Sequence, residues 1–274
     1  MNIFKLELKR AIFNKRMLIV LLFGVALVLY YNITNFMGEI EYYKYIAQEN
    51  LTDGADLTSL YGRWFGMNTD VETIVFFYLF PLIAVYPAAM IYFDDRKNGY
   101  LKNLYTQCSK IKCLISKYFA TFVSGGVAVT TPLILSVMLS ALYSPARVPD
   151  SIINTTINDC SLWADLYFQH PLIYLIAYIL LDFVFGGLFA CLAMSLSNVL
   201  SHKFTVFMSS FIFVAVLDFI CHQLGTLELE PDLFLVPAQL AKPIGFELLI
   251  FIFVLLFFSL LFFLLLFCFC LLSS

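Results

Sequence analysis

Asp182 is the side chain of this sequence whose type and position point most directly to chemistry. It lies 10 residues into an apolar run that starts at Leu172, about 15 Å along a helix and near the centre of a bilayer. A carboxylate at that depth is costly, so it should face protein or water. We therefore predict one of three roles for Asp182: substrate contact, proton relay, or a structural hydrogen bond to a neighbouring helix.

Two more ionisable side chains lie near the outer end of another apolar run. Asp218 and His222 are four residues apart and therefore share one face of a helix. They form either a pH-sensitive pair or an interfacial hydrogen bond. Together with Asp182 they would supply the acid and base groups of an intramembrane enzyme, which is one of three function classes that the sequence leaves open.

The motifs of common enzyme and metal-binding classes do not occur in the sequence. It contains no G-x-x-x-x-G-K-[ST], no H-E-x-x-H, no C-x-x-C and no G-x-S-x-G. His170 and His222 fall at the outer boundary of the apolar runs and His202 at the inner one, which disfavours a three-histidine metal site. Of the 7 cysteines only Cys160 is clearly outside, so no external disulfide framework is expected. We expect no enzyme activity, cofactor or metal on this chain.

The elements that must position these groups are membrane helices, because 62% of the 274 residues are hydrophobic and only 13% are charged. A soluble domain has roughly one quarter of its residues charged. Six apolar runs are each long enough to cross about 30 Å of hydrocarbon as a helix. We predict an all-α membrane protein with six transmembrane helices in a single domain over residues 1–274. The runs are Met17–Phe36, Thr73–Phe93 with Pro81 and Pro87 inside it, Tyr118–Tyr143, Leu172–Leu196, Phe204–Cys221 and Leu248–Leu272.

The distribution of charge orients the chain. Twelve of the 16 Lys and Arg residues lie in the N-terminal tail, between runs two and three, or between runs four and five. Since cytoplasmic loops carry an excess of Lys and Arg, both termini are predicted to be cytoplasmic. Most of the 19 acids fall on the outer side. That side would attract cationic substrates, or it follows simply from the exclusion of cations there.

Residues 94–117, between runs two and three, are the most informative segment. Gly99 can interrupt the helix after a charged turn. Leu101, Leu104 and Tyr105 then follow at i, i+3 and i+4, which predicts a short helix with an apolar stripe. Two interpretations remain open: a cationic loop whose stripe rests on lipid, or a helix that docks into the groove of a cytoplasmic partner.

A pattern within this segment resembles that of type 2 ABC transporter permeases, the membrane subunits of ATP-binding-cassette exporters. Their [ED]-R-x-x-G-x-L-x-x-L pattern, which forms a cytoplasmic coupling helix after the second span, is matched by Asp95, Arg96, Gly99, Leu101 and Leu104. The basic stretch Leu6–Leu18 is similar to the amphipathic N-terminal helix of that family. In this chain we expect the cytoplasmic helix at residues 1–16. Residues 223–246 resemble its external re-entrant or interfacial hairpin.

The resemblance implies a function and a set of partners. The chain would be a permease subunit, while a separate nucleotide-binding subunit would hold ATP and Mg and hydrolyse the nucleotide. A second permease copy, identical or related, would complete the pathway within membrane lipid, and no nucleic acid is implied. Arg96 would pair with an acid of the ATPase, and Leu101 and Leu104 would fill its groove. The residues implied in coupling are Asp95, Arg96, Gly99, Leu101, Leu104 and Tyr105.

Small residues recur in runs three and four. A small residue stands at every fourth position from Ala120 to Ser140, and Gly187, Cys191 and Ser195 repeat the pattern. The pattern indicates either close helix packing or a wall of the transport path. The path candidates are Asp182, Ser124, Ser136, Gly187 and Ser195.

The function expected from these observations is export of a hydrophobic, amphipathic or peptide substrate, such as an antimicrobial peptide. The expected location is a bacterial cytoplasmic membrane. Besides the intramembrane enzyme, the alternative is an ion- or proton-coupled secondary transporter or channel that uses Asp182 as its intramembrane site.

Overall fold

The computed structural model describes residues 3–49, 59–68, 70–149, 161–226 and 234–238, with residues 157 and 230 between them. Within these ranges the chain is helical and contains no strand. The helices are α1 (Ile3–Ile12), α2 (Lys15–Glu49), α3 (Leu60–Arg63), α4 (Val71–Tyr78), α5 (Phe80–Val85), α6 (Ala89–Lys97), α7 (Tyr100–Gln107), α8 (Lys110–Ser140), α9 (Ala164–Gln169), α10 (Pro171–Leu196) and α11 (Lys203–Leu224).

Four of these helices are long and apolar enough to cross a membrane, which makes the chain a multi-pass membrane protein. In the described part they cover Lys15–Tyr42, Lys110–Ser140, Pro171–Leu196 and Lys203–Leu224. They correspond to the first, third, fourth and fifth apolar runs. The sixth predicted helix, at residues 248–272, and most of the predicted hairpin at residues 223–246 lie outside the described residues.

The second apolar run, residues 73–93, is not one continuous helix. It is divided among α4, α5 and α6, with breaks at Leu79 and at residues 86–88. Pro81 lies in the first turn of α5 and Pro87 lies inside the second break. Proline has no N–H to donate and its ring clashes with the preceding turn, so each proline ends the helix before it. The described residues therefore contain four continuous helices long enough to span a membrane, and the count of six stays a prediction.

Asn14 forms the elbow between α1 and α2. Its side-chain oxygen accepts a hydrogen bond from the backbone N–H of Met17 at 2.8 Å. Its side-chain nitrogen donates to the backbone oxygens of Ala11 at 2.6 Å and Arg10 at 3.1 Å. One side chain thus satisfies backbone groups at the start of α2 and at the end of α1. α1 falls within the residues predicted to form an N-terminal amphipathic helix.

The contact between α8 and α10 is the most extensive between two helices of the described chain. Each helix carries the same five-residue pattern: F-V-S-G-G at residues 122–126 and F-V-F-G-G at residues 183–187. A Cβ on Gly126 would lie 2.6 Å from the ring of Phe183, and a Cβ on Gly187 would lie 2.6 Å from the ring of Phe122. The two antiparallel helices therefore meet in a reciprocal way, with each phenylalanine lying over a glycine of the other helix.

The backbones themselves touch at the centre of this crossing. A Cβ on Gly125 would lie 2.5 Å from the carbonyl oxygen of Gly186, closer than real Cβ atoms come to an oxygen. Helices in lipid associate largely through such close packing of small residues, because burial of apolar surface gives little preference there. The crossing fixes α8 and α10 as one unit at the middle of the bundle.

A polar network fastens the end of α8 that lies away from Lys110. The hydroxyl oxygen of Ser136 accepts a hydrogen bond from the backbone N–H of Phe65 at 2.9 Å. The hydroxyl of Ser140 lies 3.1 Å from both the side-chain oxygen of Asn32 and the backbone oxygen of Arg63. These contacts hold α2 and the segment around α3 against α8.

Candidate functional site

Four charged side chains from three helices form the ionic cluster: Glu7, Asp95 and Lys117, which are buried, and Arg10, which is half-buried. Lys117 Nζ lies 2.6 Å from Asp95 Oδ2 and 2.8 Å from Glu7 Oε2. Arg10 donates to both carboxylate oxygens of Asp95, at 2.8 and 3.2 Å, and lies 3.3 Å from Glu7. The ionic cluster joins α1, α6 and α8 at the cation-rich end of the bundle.

The surroundings make this cluster sensitive to any change in charge. The side chains of Glu7 and Lys117 are each 4% exposed, and that of Asp95 is 8% exposed. Two cations and two anions give a neutral group in which every charge has an opposite partner. Moving charges out of water is costly, and only close pairing with hydrogen bonds offsets that cost. Loss of Glu7, Asp95 or Lys117 would therefore leave the buried group with one charge in excess.

Tyr100, the first residue of α7, covers the cations of the cluster. The centre of its ring lies 4.5 Å from Arg10 Cζ and 5.5 Å from Lys117 Nζ, within the range of cation–π attraction. Burial would lower the pKa of Arg10, but the hydrogen bond and charge of Asp95, together with Glu7 and Tyr100, raise it above its ordinary value. Arg10 is therefore always charged, and Tyr100 attaches α7 to the cluster.

Asp94 makes a second, more exposed ionic contact beside the first. It pairs with Arg16 of α2 and with Lys203 Nζ at 3.0 Å, at the start of α11. Burial would raise the pKa of Asp94, but hydrogen bonds and charges from Arg16 and Lys203 lower it below its ordinary value. A lowered pKa means that the pairing stabilises the fold above the ordinary carboxyl pKa and is lost only as the pH falls through the lowered value.

Gly99 produces the predicted break before α7. Its φ of 73° lies in the left-handed region that favours glycine. A Cβ added there would meet no atom within 4 Å, so the need for glycine comes from the backbone and not from packing. The chain turns at Gly99 and continues as the short helix α7.

The side chains of α7 divide into an inner and an outer face. Leu101 is buried, in the same apolar cluster as Leu114 and Tyr118 of α8. Leu104 and Tyr105 are half-buried, while the outer face is exposed and is formed by Lys102, Asn103 and Thr106. Of the residues implied in groove binding, Leu101 thus packs into the bundle of this chain, and Leu104 and Tyr105 lie at the edge of the exposed face.

Arg96 lies in the last turn of α6, next to Asp95. Its Nη2 donates to the backbone oxygen of Leu200 at 3.4 Å, and its guanidinium lies 6.0 Å from the ring centre of Phe93. The side chain is half-buried. Within the described chain Arg96 therefore contacts the segment that leads into α11.

Cys108 and Cys113 are joined by a disulfide across the turn between α7 and α8. No disulfide framework was predicted for the outer side, and this bond lies at the cation-rich end. It connects the last residues of the α7 region to the first turns of α8.

The path candidates lie in helix contacts of the described chain. Ser124 donates to the backbone oxygen of Ala11 at 2.9 Å, which ties α8 to α1. Ser136 belongs to the polar network at the far end of α8, and Gly187 lies under the ring of Phe122. Ser195 is 1% exposed.

Asp182 is fully buried in α10. Neither of its carboxylate oxygens has a hydrogen-bond partner among the described residues, so the predicted structural hydrogen bond is absent from this part of the chain. Buried polar groups almost always have a partner, and one without any calls for a functional or structural reason. His222, which was predicted to share a helix face with Asp218, lies 3.8 Å from Glu230.

Glu7, Arg10 and Lys117 were not predicted as site residues from the sequence. Two signals were present: Glu7 is the only acid among the first 16 residues, and Lys117 directly precedes a long apolar run. Neither signal identifies the partner, because the paired residues are far apart along the chain.

Comparisons of the chain with protein-family models, with curated proteins and with solved structures give no match.

Proposed function

We propose that this chain is the membrane-spanning permease subunit of an ABC exporter. In this proposal α7 contacts a separate nucleotide-binding subunit, which holds ATP and Mg and hydrolyses the nucleotide. The supporting observation is the attachment of α7 to the ionic cluster: a short amphipathic helix at the cation-rich end contacts, through its first residue, charges that join three other helices. A displacement of α7 would therefore move helices of the bundle.

The contacts provide a continuous mechanical route from α7 to the spanning helices. Tyr100 lies over Arg10 and Lys117, and Lys117 belongs to α8. α8 in turn is packed backbone to backbone against α10 at Gly125 and Gly186. Asp94 adds a branch to α2 through Arg16 and to α11 through Lys203. Asp95 and Asp94 would thus transmit one movement to four helices, α1, α8, α2 and α11.

The assembly in this proposal contains a second permease copy, identical or related, in a bacterial cytoplasmic membrane. Large apolar side chains are exposed along α2 and α11, among them Leu22, Phe23, Ile212 and Phe219. Such faces suit lipid tails or the helices of the second copy. The cargo would be a hydrophobic, amphipathic or peptide substrate, and antimicrobial peptides are one such class.

Leu104→Asp is the variant that tests the role of α7. Leu104 is half-buried at the edge of the outer face, and burying a new carboxylate in a partner's apolar groove is strongly unfavourable. We expect normal membrane insertion, with recovery of the nucleotide-binding subunit in co-purification reduced about tenfold, as a loss of roughly 1.4 kcal/mol in binding would give. The matched control is Asn103→Asp, which adds the same charge at an exposed neighbouring position and should have little effect.

The measurement is purification of each variant from native membranes, followed by identification of the attached ATPase and by assay of export. Equal ATPase recovery and equal export for Leu104→Asp and the unchanged protein would remove α7 from the coupling role. Recovery of no ATPase at all with the unchanged protein would remove the permease assignment itself.

A second function, an ion- or proton-coupled transporter or channel, is favoured by one observation: the fully buried Asp182 without a partner. Carboxyl groups inside membrane bundles mark ion pathways and proton relays. If Asp182 carries a proton or ion, Asp182→Asn should abolish transport driven by a proton gradient while leaving assembly intact. Normal transport by Asp182→Asn, or dependence on ATP and not on the gradient, would exclude this function.

A further inference from the structure

We propose that Cys108 and Cys113 form a reversible thiol–disulfide switch that controls the attachment of α7 to α8. The bond itself is a modification site on the segment that the proposed function assigns to ATPase contact, so its regulatory consequence rests on that function. The oxidation chemistry of the bond and its effect on α7 do not depend on the proposed function.

The position of the bond allows it to restrict the movement of α7. Cys108 ends α7 in an extended conformation, and Cys113 lies in the first turns of α8, with Cα atoms 6.6 Å apart. Cys113 stands one helical turn before Lys117 of the ionic cluster. The disulfide therefore holds the C-terminal end of α7, while Tyr100 holds its N-terminal end over the same cluster. With both ends held, α7 has little freedom to move.

Reduction offers Cys108 a different partner. Its sulfur lies 3.2 Å from the backbone oxygen of Leu104, one turn earlier in α7, and a free thiol donates to such an oxygen. The reduced thiol thus keeps a partner on its own helix and no longer connects α7 to α8. The same two residues therefore join α7 to α8 when oxidised and leave the two helices unconnected when reduced.

The charge distribution places this pair where disulfides are exchanged and not permanent. The pair lies at the cation-rich end, which is the cytoplasmic side by the positive-inside rule. Cytosolic thiols are kept largely reduced, and disulfides that form there are usually regulatory or catalytic. Lys110 and Lys112 lie between the two cysteines and give the site a positive charge, which suits an anionic low-molecular-weight disulfide such as oxidised glutathione.

The reaction balances with that oxidant. The thiolate of one cysteine attacks a sulfur of oxidised glutathione, which forms a mixed disulfide and releases one glutathione thiol. The thiolate of the second cysteine then attacks the protein sulfur of the mixed disulfide and releases the second glutathione. Two protein thiols are oxidised to one disulfide, the glutathione disulfide is reduced to two thiols, and both protons end on glutathione.

The sequence makes the state of the pair directly readable. Lys102, Lys110, Lys112 and Lys117 are trypsin sites, so complete digestion separates residues 103–110 from residues 113–117. Native membranes are incubated with oxidised or with reduced glutathione, free thiols are blocked with N-ethylmaleimide, and the denatured protein is digested. We expect the two peptides to be linked after oxidised glutathione, and separate and alkylated after reduced glutathione. Alkylation of both cysteines, or glutathione adducts alone, after the oxidant would overturn the proposal.

A second measurement tests the effect on α7 without requiring an ATPase. Lys102 is exposed on α7, and brief trypsin treatment of native membranes should cut after it about threefold more slowly in the oxidised state, because cleavage needs local opening of the helix. Cys108→Ser and Cys113→Ser should both lose this redox dependence, whereas Cys191→Ser, which changes a free cysteine of α10, should keep it. A linked pair with unchanged cleavage would show that the bond does not control α7. Redox-dependent cleavage without any attached ATPase would retain the switch and reject only the proposed function.

Discussion

Two lysine–aspartate contacts at the cation-rich end use the same groups in different surroundings. Lys117 and Asp95 are almost fully enclosed, while the side chains of Lys203 and Asp94 are 50% and 32% exposed. Exposed ion pairs contribute little because water screens them. A buried charge that loses its partner has no water to replace it. The two contacts should therefore respond very differently to the same substitution.

Lys117→Met is expected to destabilise the protein by about 3–5 kcal/mol, because it leaves Glu7 and Asp95 with one cation between them in a buried site. Lys203→Met, the matched control, should cost about 0–1 kcal/mol. Thermal unfolding of the purified variants in detergent, followed by size-exclusion recovery after heating, measures the difference. Equal loss of stability in the two variants would contradict the structural role given to the ionic cluster.

A property of a single residue can be predicted from the sequence, whereas a contact between distant residues cannot. Gly99 was predicted to interrupt the helix, and it does so with a positive φ. The tolerance of a positive φ belongs to glycine itself and needs no partner. The contact of Glu7 with Lys117 spans 110 positions, and no local pattern records it. Asp182 stood out for its depth, yet its lack of a partner could be recognised only with its neighbours in place.

At the scale of elements, the crossing of α8 and α10 depends on glycine in two distinct ways. Gly125 faces a backbone oxygen of α10, whereas Gly126 faces the ring of Phe183. A ring can be removed by substitution, but a backbone cannot. The small residues at every fourth position of α8 indicated close packing, and the F-V-x-G-G patterns stand in the sequence of both helices. Their reciprocal fit needed the antiparallel placement of the two helices.

Gly126→Val is expected to destabilise the bundle by about 1–3 kcal/mol through overpacking against Phe183. Adding Phe183→Ala should recover part of that loss, because the ring is what the new side chain meets, and the two changes should be clearly non-additive. Gly125→Val should lose at least as much stability and should gain nothing from Phe183→Ala. Stability is followed by thermal unfolding in detergent, and equal rescue of both glycine variants would contradict the described crossing.

Two prolines explain why the second apolar run is not one continuous helix. Its composition suits a membrane helix, but Pro81 and Pro87 divide it into α4, α5 and α6. Both prolines were noted in the sequence. How far each one would interrupt the helix depends on what the neighbouring helices can supply to the freed backbone groups.

At the scale of the whole molecule, the length of α2 separates the groups at its two ends by more than the thickness of a membrane. It has 35 residues, or about 52 Å as a straight helix, against about 30 Å of hydrocarbon. Its N-terminal end lies beside the ionic contacts of Asp94, and its far end carries Lys44. The two ends therefore lie on opposite sides of a membrane if α2 crosses it.

Lys44 and Lys102 provide a test of orientation with native residues, since both are exposed. A membrane-impermeant amine-reactive reagent should label Lys44 in intact cells and should label Lys102 only after permeabilisation, because the cation-rich end is predicted to be cytoplasmic. Peptide mass spectrometry of the purified protein gives both values from one sample. Labelling of Lys102 in intact cells would reverse the orientation and, with it, the side on which an ATPase could dock.

The ionic cluster also sets an order of events during synthesis. Glu7 emerges 110 residues before the lysine that it pairs with, an interval of roughly 5–20 s at the usual rates of translation. During that interval Glu7 and Arg10 of α1 have each other as partners but lack Lys117, while the first spanning helix is already entering the membrane. The ionic contacts that join α1 and α6 to α8 are therefore completed only after Lys117 has been made.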